Sequence, residues 1–345
     1  MLGRTPEGAA PRPRHLKPRF KQLGPIPPVA GGMTIRLTLI AVLMSLVVAA
    51  PASAKYRAGL GEQKPEMFQT ASWQSLKLKR VRYLVPWDYA KAQWQRDAVN
   101  HYMTQARLAR QDVLVTFTAK SGCYSAKGRY SKRKACRAPS TRAYRKAFLA
   151  FDKAYPWVKT YSAWNEVNHK SQPTFKSPRK AASYYNVLRK YTRTKKIRVM
   201  AADMLDTGNM GRYLAAFKRK AKGSPKLWGL HNYGDVNRRR TKYTKQMLRS
   251  VPGEVWLTET GGIVKLLPSF KRSPKRAAAR TKGMFRLVNR YDTRRRGMRS
   301  KITRLFVYTF YGENSSARFD AGLVNPDGSP RPAFNVFKKN ARKHR

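Results

Sequence analysis

Eight short apolar runs of strand type recur along the chain, separated by helix-like stretches, and this alternation constrains the fold more than any other feature. The runs are YRAGLG from Tyr56, RVRYLVPW from Arg80, DVLVTFT from Asp112, VKTYSAWN from Val158, IRVMAAD from Ile197, LWGLHNY from Leu227, EVWLTET from Glu254 and TRLFVYTFYG from Thr303. Amphipathic stretches lie between them, near Ala92 and from Ser140, Ser177, Gly211 and Arg276. Several open after Ser-Pro or Gly, as helix starts do. Strand and helix in alternation imply a parallel α/β fold, and eight repeats with no Pro- or Gly-rich linker suit one (β/α)8 barrel over residues 55–345. A doubly wound sheet is the competing architecture. It usually carries a Gly-rich phosphate turn after its first strand, and GLGEQKPEM lacks that G-x-G-x-x-G spacing.

The segment MTIRLTLIAVLMSLVVAAPASA at 33–54 breaks the pattern. A short basic start at Arg36, an apolar run from Leu37 to Ala50 and the small triplet Ala52, Ser53, Ala54 form an export signal cleaved before Lys55. The run is too short for a spanning helix, which needs about 20 apolar residues, so no membrane anchor is expected after cleavage. Residues 1–32 are Pro-rich and basic, without an apolar period, and are expected to be either a non-structural leader or a mis-assigned start, with translation beginning at Met33. The chain is therefore expected outside the cytoplasm, secreted or in the cell envelope. Its two cysteines, Cys123 and Cys136, lie in one polar, turn-rich stretch, and export favours a disulfide between them. His and Cys clusters are absent, so neither a metal nor an organic cofactor is expected.

Charge is the other constraint. Lys and Arg number 74 against 17 Asp and Glu, a formal charge of +57. Such a field attracts polyanions, and electrostatic association with anionic envelope polymers is expected. Specific nucleic-acid binding is not: the basic residues are dispersed, no zinc-finger or RNP-like pattern occurs, and an export signal points elsewhere.

Against this background two carboxylates stand out. Glu166, in WNEVNH, and Glu259, in LTETGG, each end an apolar strand run, where a charge without a task is costly. They lie 93 positions apart, three units of about 31 residues in a barrel of about 250, which places them at the C-terminal ends of strands four and seven. Barrel active sites form on that face, and two carboxylates across a barrel mouth are the equipment of glycoside hydrolysis.

WNEVN at strand four, HNY at strand six, LTETGG at strand seven and YTFYG at strand eight together resemble the retaining glycoside hydrolases of clan A, over essentially all of residues 56–338. The closing GLVNPDGSPRPAF is similar to the ends of several such enzymes. The resemblance implies a secreted glycosidase with a carbohydrate substrate. It makes Glu259 the nucleophile and Glu166 the acid/base, and sets Asn165 on the sugar 2-hydroxyl. Arg82 would hold the nucleophile ionised, Tyr233 would reach it with its hydroxyl, and His231 would lie near the sugar. His231 and Tyr233, at i and i+2, are expected on one face of strand six. Trp87 and Tyr308, with Trp164 and Tyr311, could stack on sugar faces or belong to the core. The charge of Glu259, with partial burial, is expected to raise Glu166 so that it holds a proton. Asp203, Asp235 and Glu313 follow strands five, six and eight and could bind substrate hydroxyls, with loop capping the expected role for each.

Val167 stands where many relatives have Pro, and strand eight offers Tyr308, Phe310 and Tyr311 where many have Trp. These departures leave the catalytic pair alone and put the sugar subsite in question. Two other classes fit the same residues: a catalytically inactive glycan-binding barrel, which would tolerate loss of either Glu, and a basic envelope or polyanion-binding protein, which would show steep salt dependence and no cleft chemistry.

Overall fold

The computed structural model describes Gly24, residues 56–120 and residues 136–345. The expected export signal at 33–54 and Cys123 lie outside them. The architecture below belongs to the unit Pro51–Arg345.

All eight expected strands form: β1 Arg57–Gly61, β2 Arg80–Pro86, β3 Asp112–Thr118, β4 Thr160–Ser162, β5 in two segments, Arg198–Met200 and Asp203–Leu205, β6 Leu227–His231, β7 Gly253–Thr260 and β8 Ser300–Tyr308. Every neighbouring pair is parallel. The sheet runs from β5 back through β4, β3, β2 and β1 to β8, β7, β6 and β5 again. The first segment of β5 pairs with β4 and the second with β6, so both ends of the sheet meet on one strand. Ala201 and Ala202 between the segments bond to Leu227 and Gly229, which carries the closure through the break. The fold is a (β/α)8 barrel.

The helices are α1 Ala71–Leu76, α2 Gln93–Leu108, α3 Thr141–Ala154, α4 Pro178–Thr192, α5 Met210–Lys218, α6 Tyr233–Asn237, α7 Lys242–Ser250, α8 Pro274–Tyr291 and α9 Pro332–Ala341. The Ser-Pro starts behave as the sequence suggests. Ser177 and Ser273 accept from the backbone N–H groups of Lys180 and Arg276, with Pro178 and Pro274 at the first helical position. Each cap is worth about 1 kcal/mol. Helix α3 turns Tyr144, Phe148 and Phe151 inward at i, i+4 and i+7, and Phe148 meets Tyr161 of β4 edge to face at 5.3 Å. Truncating Phe148 to Ala would cost about 3–5 kcal/mol. No helix of the described residues is long and apolar enough to cross a membrane.

Inside the barrel, Leu114, Met200, Leu227, Trp256 and Phe306 from five strands form a separate apolar layer. Gly59 must be glycine here, because a Cβ would lie 2.7 Å from the Phe306 ring. Two to four residues further along β5, β6 and β7 the interior turns polar, and Asp203, His231 and Thr258 there, with Arg82 of β2, are fully buried. At the rim, Glu62 accepts from the Thr309 hydroxyl at 2.6 Å and from the backbone N–H groups of Phe310 and Tyr311, tying the end of β1 to the end of β8. The loops after β7 and β8 pair as a short antiparallel ladder, Lys265–Leu266 with Phe319–Asp320, which walls one side of the mouth.

Candidate active site

The polar layer organises around Arg82, which β2 delivers without solvent exposure. Its Nη1 donates to Glu259 Oε1 at 2.7 Å, and its Nη2 donates to Asn165 Oδ1 at 2.7 Å and Asp203 Oδ2 at 2.9 Å. The β6–β7 register sets His231 opposite Glu259. The imidazole bridges the acids: Nε2 is 3.2 Å from Asp203, and Nδ1 is 3.2 Å from Glu166 and 3.5 Å from Glu259. Thr258 donates to Asp203 Oδ1, the oxygen that His231 also faces.

Glu166 follows β4 with its backbone in the left-handed region, φ 42°. Such a conformation costs a non-Gly residue about 1–2 kcal/mol and persists only where the surroundings impose it. Here Asn165 N–H donates to Phe117 C=O, Val167 N–H to Asp203 C=O and His169 N–H to Glu166 C=O. Asn168 pins the same loop to the end of β5, accepting from Leu205 N–H and donating to Leu205 C=O, Thr207 and Asn209. The result turns the Glu166 side chain toward Glu259. One oxygen of each carboxylate and a nitrogen of His231 lie within 4.8 Å of one another.

Both carboxylates line a cavity of about 420 Å³, with Tyr233, Leu266, Phe270 and Phe319 among its apolar walls. Asn165 spends its carboxamide oxygen on Arg82 and is buried beside this cavity without lining it. Tyr233 is not on strand six, contrary to expectation. Strand β6 ends at His231 and Tyr233 opens α6. Its hydroxyl still reaches Glu259 Oε2 at 3.5 Å and the Tyr308 carbonyl at 3.2 Å.

His231 is buried behind the two Glu residues and does not line the cavity. Nor do Trp87 and Tyr308: Lys91 covers the Trp87 ring at 4.9 Å, and the Tyr308 ring packs against Gly61. Trp164 is core, donating to Gln172 at 3.1 Å.

The electrostatics reverse one expectation. Burial alone raises Glu166, but hydrogen bonds from His169 and His231 and their charges overcome it, and the carboxyl is held below its usual range. Burial also lowers His231, yet the charges of Glu259 and Asp203 and hydrogen bonds to Asp203 and Glu166 raise it to about 10. Glu259 is raised, because burial and the Glu166 charge outweigh His231 and Arg82. The neighbouring charge that was expected to raise Glu166 is thus outweighed by imidazoles on both sides, and the proton sits on His231, one hydrogen bond from Glu166.

Sequence reasoning assigned loop capping to Asp203, and the structure makes it the buried counter-charge of Arg82 and His231. Asp235 does cap, accepting from Thr244 N–H at 2.7 Å, while Glu313 is exposed. His169 was missed. Its Nδ1 lies 3.4 Å from Glu166 Oε2, and the i, i+3 spacing in WNEVNH was the available signal.

Glu166, His231 and Glu259 could also supply three donors to a metal ion. Arg82 and protonated His231 already compensate these acids, and an ion would have to displace that proton and face the guanidinium.

Residues 139–337 match the glycosyl hydrolase catalytic core family. The chain belongs to that family. Solved structures agree in fold. Two fungal β-1,4-galactanases superpose with a TM-score of 0.60 at 12% identity, over 82% of this chain and 99% of theirs. A family 39 glycoside hydrolase from Bacteroides cellulosilyticus WH2 gives 0.52 at 14% identity, over 84% and 64%. The Clostridium thermocellum endo-1,4-β-D-xylanase complexed with xylohexaose gives 0.54 at 14%, over 84% and 66%. This glycosyl hydrolase core therefore spans less than two thirds of the Bacteroides and Clostridium chains and nearly the whole of the galactanases. No curated protein sequence matches it.

Proposed function

We propose that the protein is an exported retaining O-glycosidase acting on a polysaccharide or glycoconjugate, with Glu259 as nucleophile and Glu166 as acid/base. The observation that carries this reading is the approach of the two carboxylates, with oxygens within 4.8 Å across one barrel mouth. Retaining glycosidases hold their carboxyl groups about 5–5.5 Å apart, and inverting ones leave room for a water at about 6.5–9.5 Å.

Each neighbour then has a task. Arg82 occupies Glu259 Oε1 and opposes the rise that burial imposes on this carboxyl, leaving Oε2 to attack the anomeric carbon as the carboxylate. Tyr233 steadies that oxygen. As the bond to the leaving oxygen breaks, the proton on His231 passes through Glu166 to that oxygen, leaving His231 neutral and Glu166 ionised. A glycosyl ester on Glu259 results. Water then attacks the same carbon, Glu166 takes its proton, and the ester bond breaks to return Glu259 as carboxylate. Asp203 keeps Arg82 cationic throughout and draws the proton that Glu166 takes from water back to His231, which ends the cycle cationic again.

The export signal at 33–54 and a Cys123–Cys136 disulfide belong to the same proposal. The direct test is incubation with activated 2-deoxy-2-fluoro glycosides and intact-mass analysis. One added glycosyl group, mapped to Glu259, is expected; labelling elsewhere, or none across the common sugar configurations, would remove the covalent mechanism.

A further inference from the structure

Beside the catalytic cavity lies a second one, about 230 Å³, between the turn joining α6 to α7 and one face of α8. Five guanidinium groups line it, those of Arg239, Arg240, Arg280, Arg286 and Arg290, against the single carboxylate of Asp235. The protein is basic everywhere, so number alone would mean little. What distinguishes this place is concavity without compensation. Among the described residues, Arg240 is the only one of the five in an ion pair, at 3.4 Å from Asp235, whose other oxygen caps α7. The Arg280 Nε is buried with no hydrogen-bond partner. Arg276, one turn earlier on α8, is lowered by burial and by repulsion from Arg280, so the uncompensated field reaches its neighbours.

The floor is built to stay open. On α8, Ala279, Gly283 and Leu287 lie between the arginines, and a Cβ at Gly283 would meet only the Arg286 side chain, at 3.8 Å. The opposite face of the helix carries the buried residues Ala277, Thr281, Met284 and Val288.

The two cavities share Arg240. The three consecutive arginines of the α6–α7 turn divide between them: Arg238 lines the catalytic side, 5.4 Å from the Phe270 ring, Arg239 lines the second cavity, and Arg240 lines both. Guanidinium groups pair bidentately with carboxylate, sulfate and phosphate oxygens, and five of them converging on one concave wall, all but Arg280 exposed to an incoming group, favour an anion there.

We propose that this cavity is a subsite for an acidic glycan: a carboxylate, sulfate or phosphate substituent on the polymer in the catalytic cleft enters it past Arg240. The inference rests on the glycosidase reading and adds its substrate class.

The test measures reducing-end release from β-linked polymers in matched pairs, hyaluronan and glucuronan with their carboxyl-reduced forms and chondroitin sulfate with its desulfated form. Three proteins are compared: the wild type, Arg280→Ala/Arg286→Ala, and Arg142→Ala/Lys146→Ala, which removes the same charge from α3. In the wild type the more acidic member of a cleaved pair should exceed its less charged partner by about tenfold or more in kcat/KM. The α8 double variant should lose most of that preference, through KM, and the α3 variant should keep it. Equal rates within every pair, or equal loss in both variants, would overturn the proposal. So would protection by inorganic sulfate that depends on Arg280 and Arg286 without any preference for acidic polymers, which would mark a free-anion site. If no pair is cleaved the acidic-glycan assignment falls, and labelling of Glu259 by a fluorinated glycoside decides separately whether the glycosidase reading falls with it.

Discussion

Arg82 and Glu259 meet through a 2.7 Å contact between Nη1 and Oε1, with the Arg82 side chain fully buried and that of Glu259 only 9% exposed. The guanidinium also holds Asp203 and Asn165, so one side chain fixes groups from β5 and β7 and from the loop after β4. Removing it would strand two buried carboxylates. Arg82→Ala should therefore lower unfolding free energy in urea by about 3–5 kcal/mol, the cost of breaking a buried pair. Arg82→Lys should recover part of the stability and little of the activity, because an ammonium lacks the planar fork that serves three partners. A fully active Lys variant would show that the geometry is dispensable.

His231 gives the site its pH dependence. Its pKa rises from 6.5 to about 10 in the folded protein. A raised histidine contributes stability that is fully present below about pH 6.5 and is lost as pH rises through 10. The thermal midpoint should therefore fall over that interval more steeply in the wild type than in His231→Asn. The alkaline limb of kcat/KM should also lie far above neutrality and move toward acid in the variant, since loss of the stored proton is what disables Glu166. Parallel stability curves for the two proteins would show that His231 is not the group involved.

The backbone at Glu166 offers a prediction independent of catalysis. Its φ of 42° suits glycine and strains alanine. Glu166→Gly should be more stable than Glu166→Ala by about 1 kcal/mol, against the usual penalty for glycine. Denaturant melts of the two variants decide it, and an Ala variant that is the more stable would show the loop relaxing out of that conformation.

Much of this arrangement was legible from local rules. The strand runs and the Ser-Pro helix starts depend on neighbours in sequence, and both form where period and cap chemistry put them. Glu166 and Glu259 could be found because a repeat of about 31 residues converts sequence distance into position around a barrel. What failed depends on through-space partners. Asp203 looks like any acid after a strand until the barrel closes and brings Arg82 and His231 against it. Tyr233 fits a strand by alternation, yet the chain turns into α6 at Tyr233 itself, two residues after His231. The protonation of Glu166 depends on His169 and His231 acting together, and only the fold shows both at the carboxylate.

Outside the cytoplasm, the chain should begin at Lys55 and carry Cys123 and Cys136 as a disulfide. Closing so short a loop stabilises by about 3 kcal/mol in the chain-entropy model. Mass spectrometry of the exported protein without reductant should find no alkylatable thiol; two alkylated cysteines, or an intact 33–54 segment, would contradict this.

The division of labour between the carboxylates is tested most directly by the Glu166→Ala variant on substrates of graded leaving-group ability, with and without azide. Glu166 gives its proton to the leaving oxygen, so activated aryl glycosides should still form the glycosyl-enzyme while natural substrates fail. Azide, which needs no general base, should then speed release and yield a glycosyl azide of retained configuration. Equal loss on activated and natural substrates with no response to azide would contradict the acid/base role of Glu166, and a glycosyl azide of inverted configuration would contradict the covalent intermediate on Glu259.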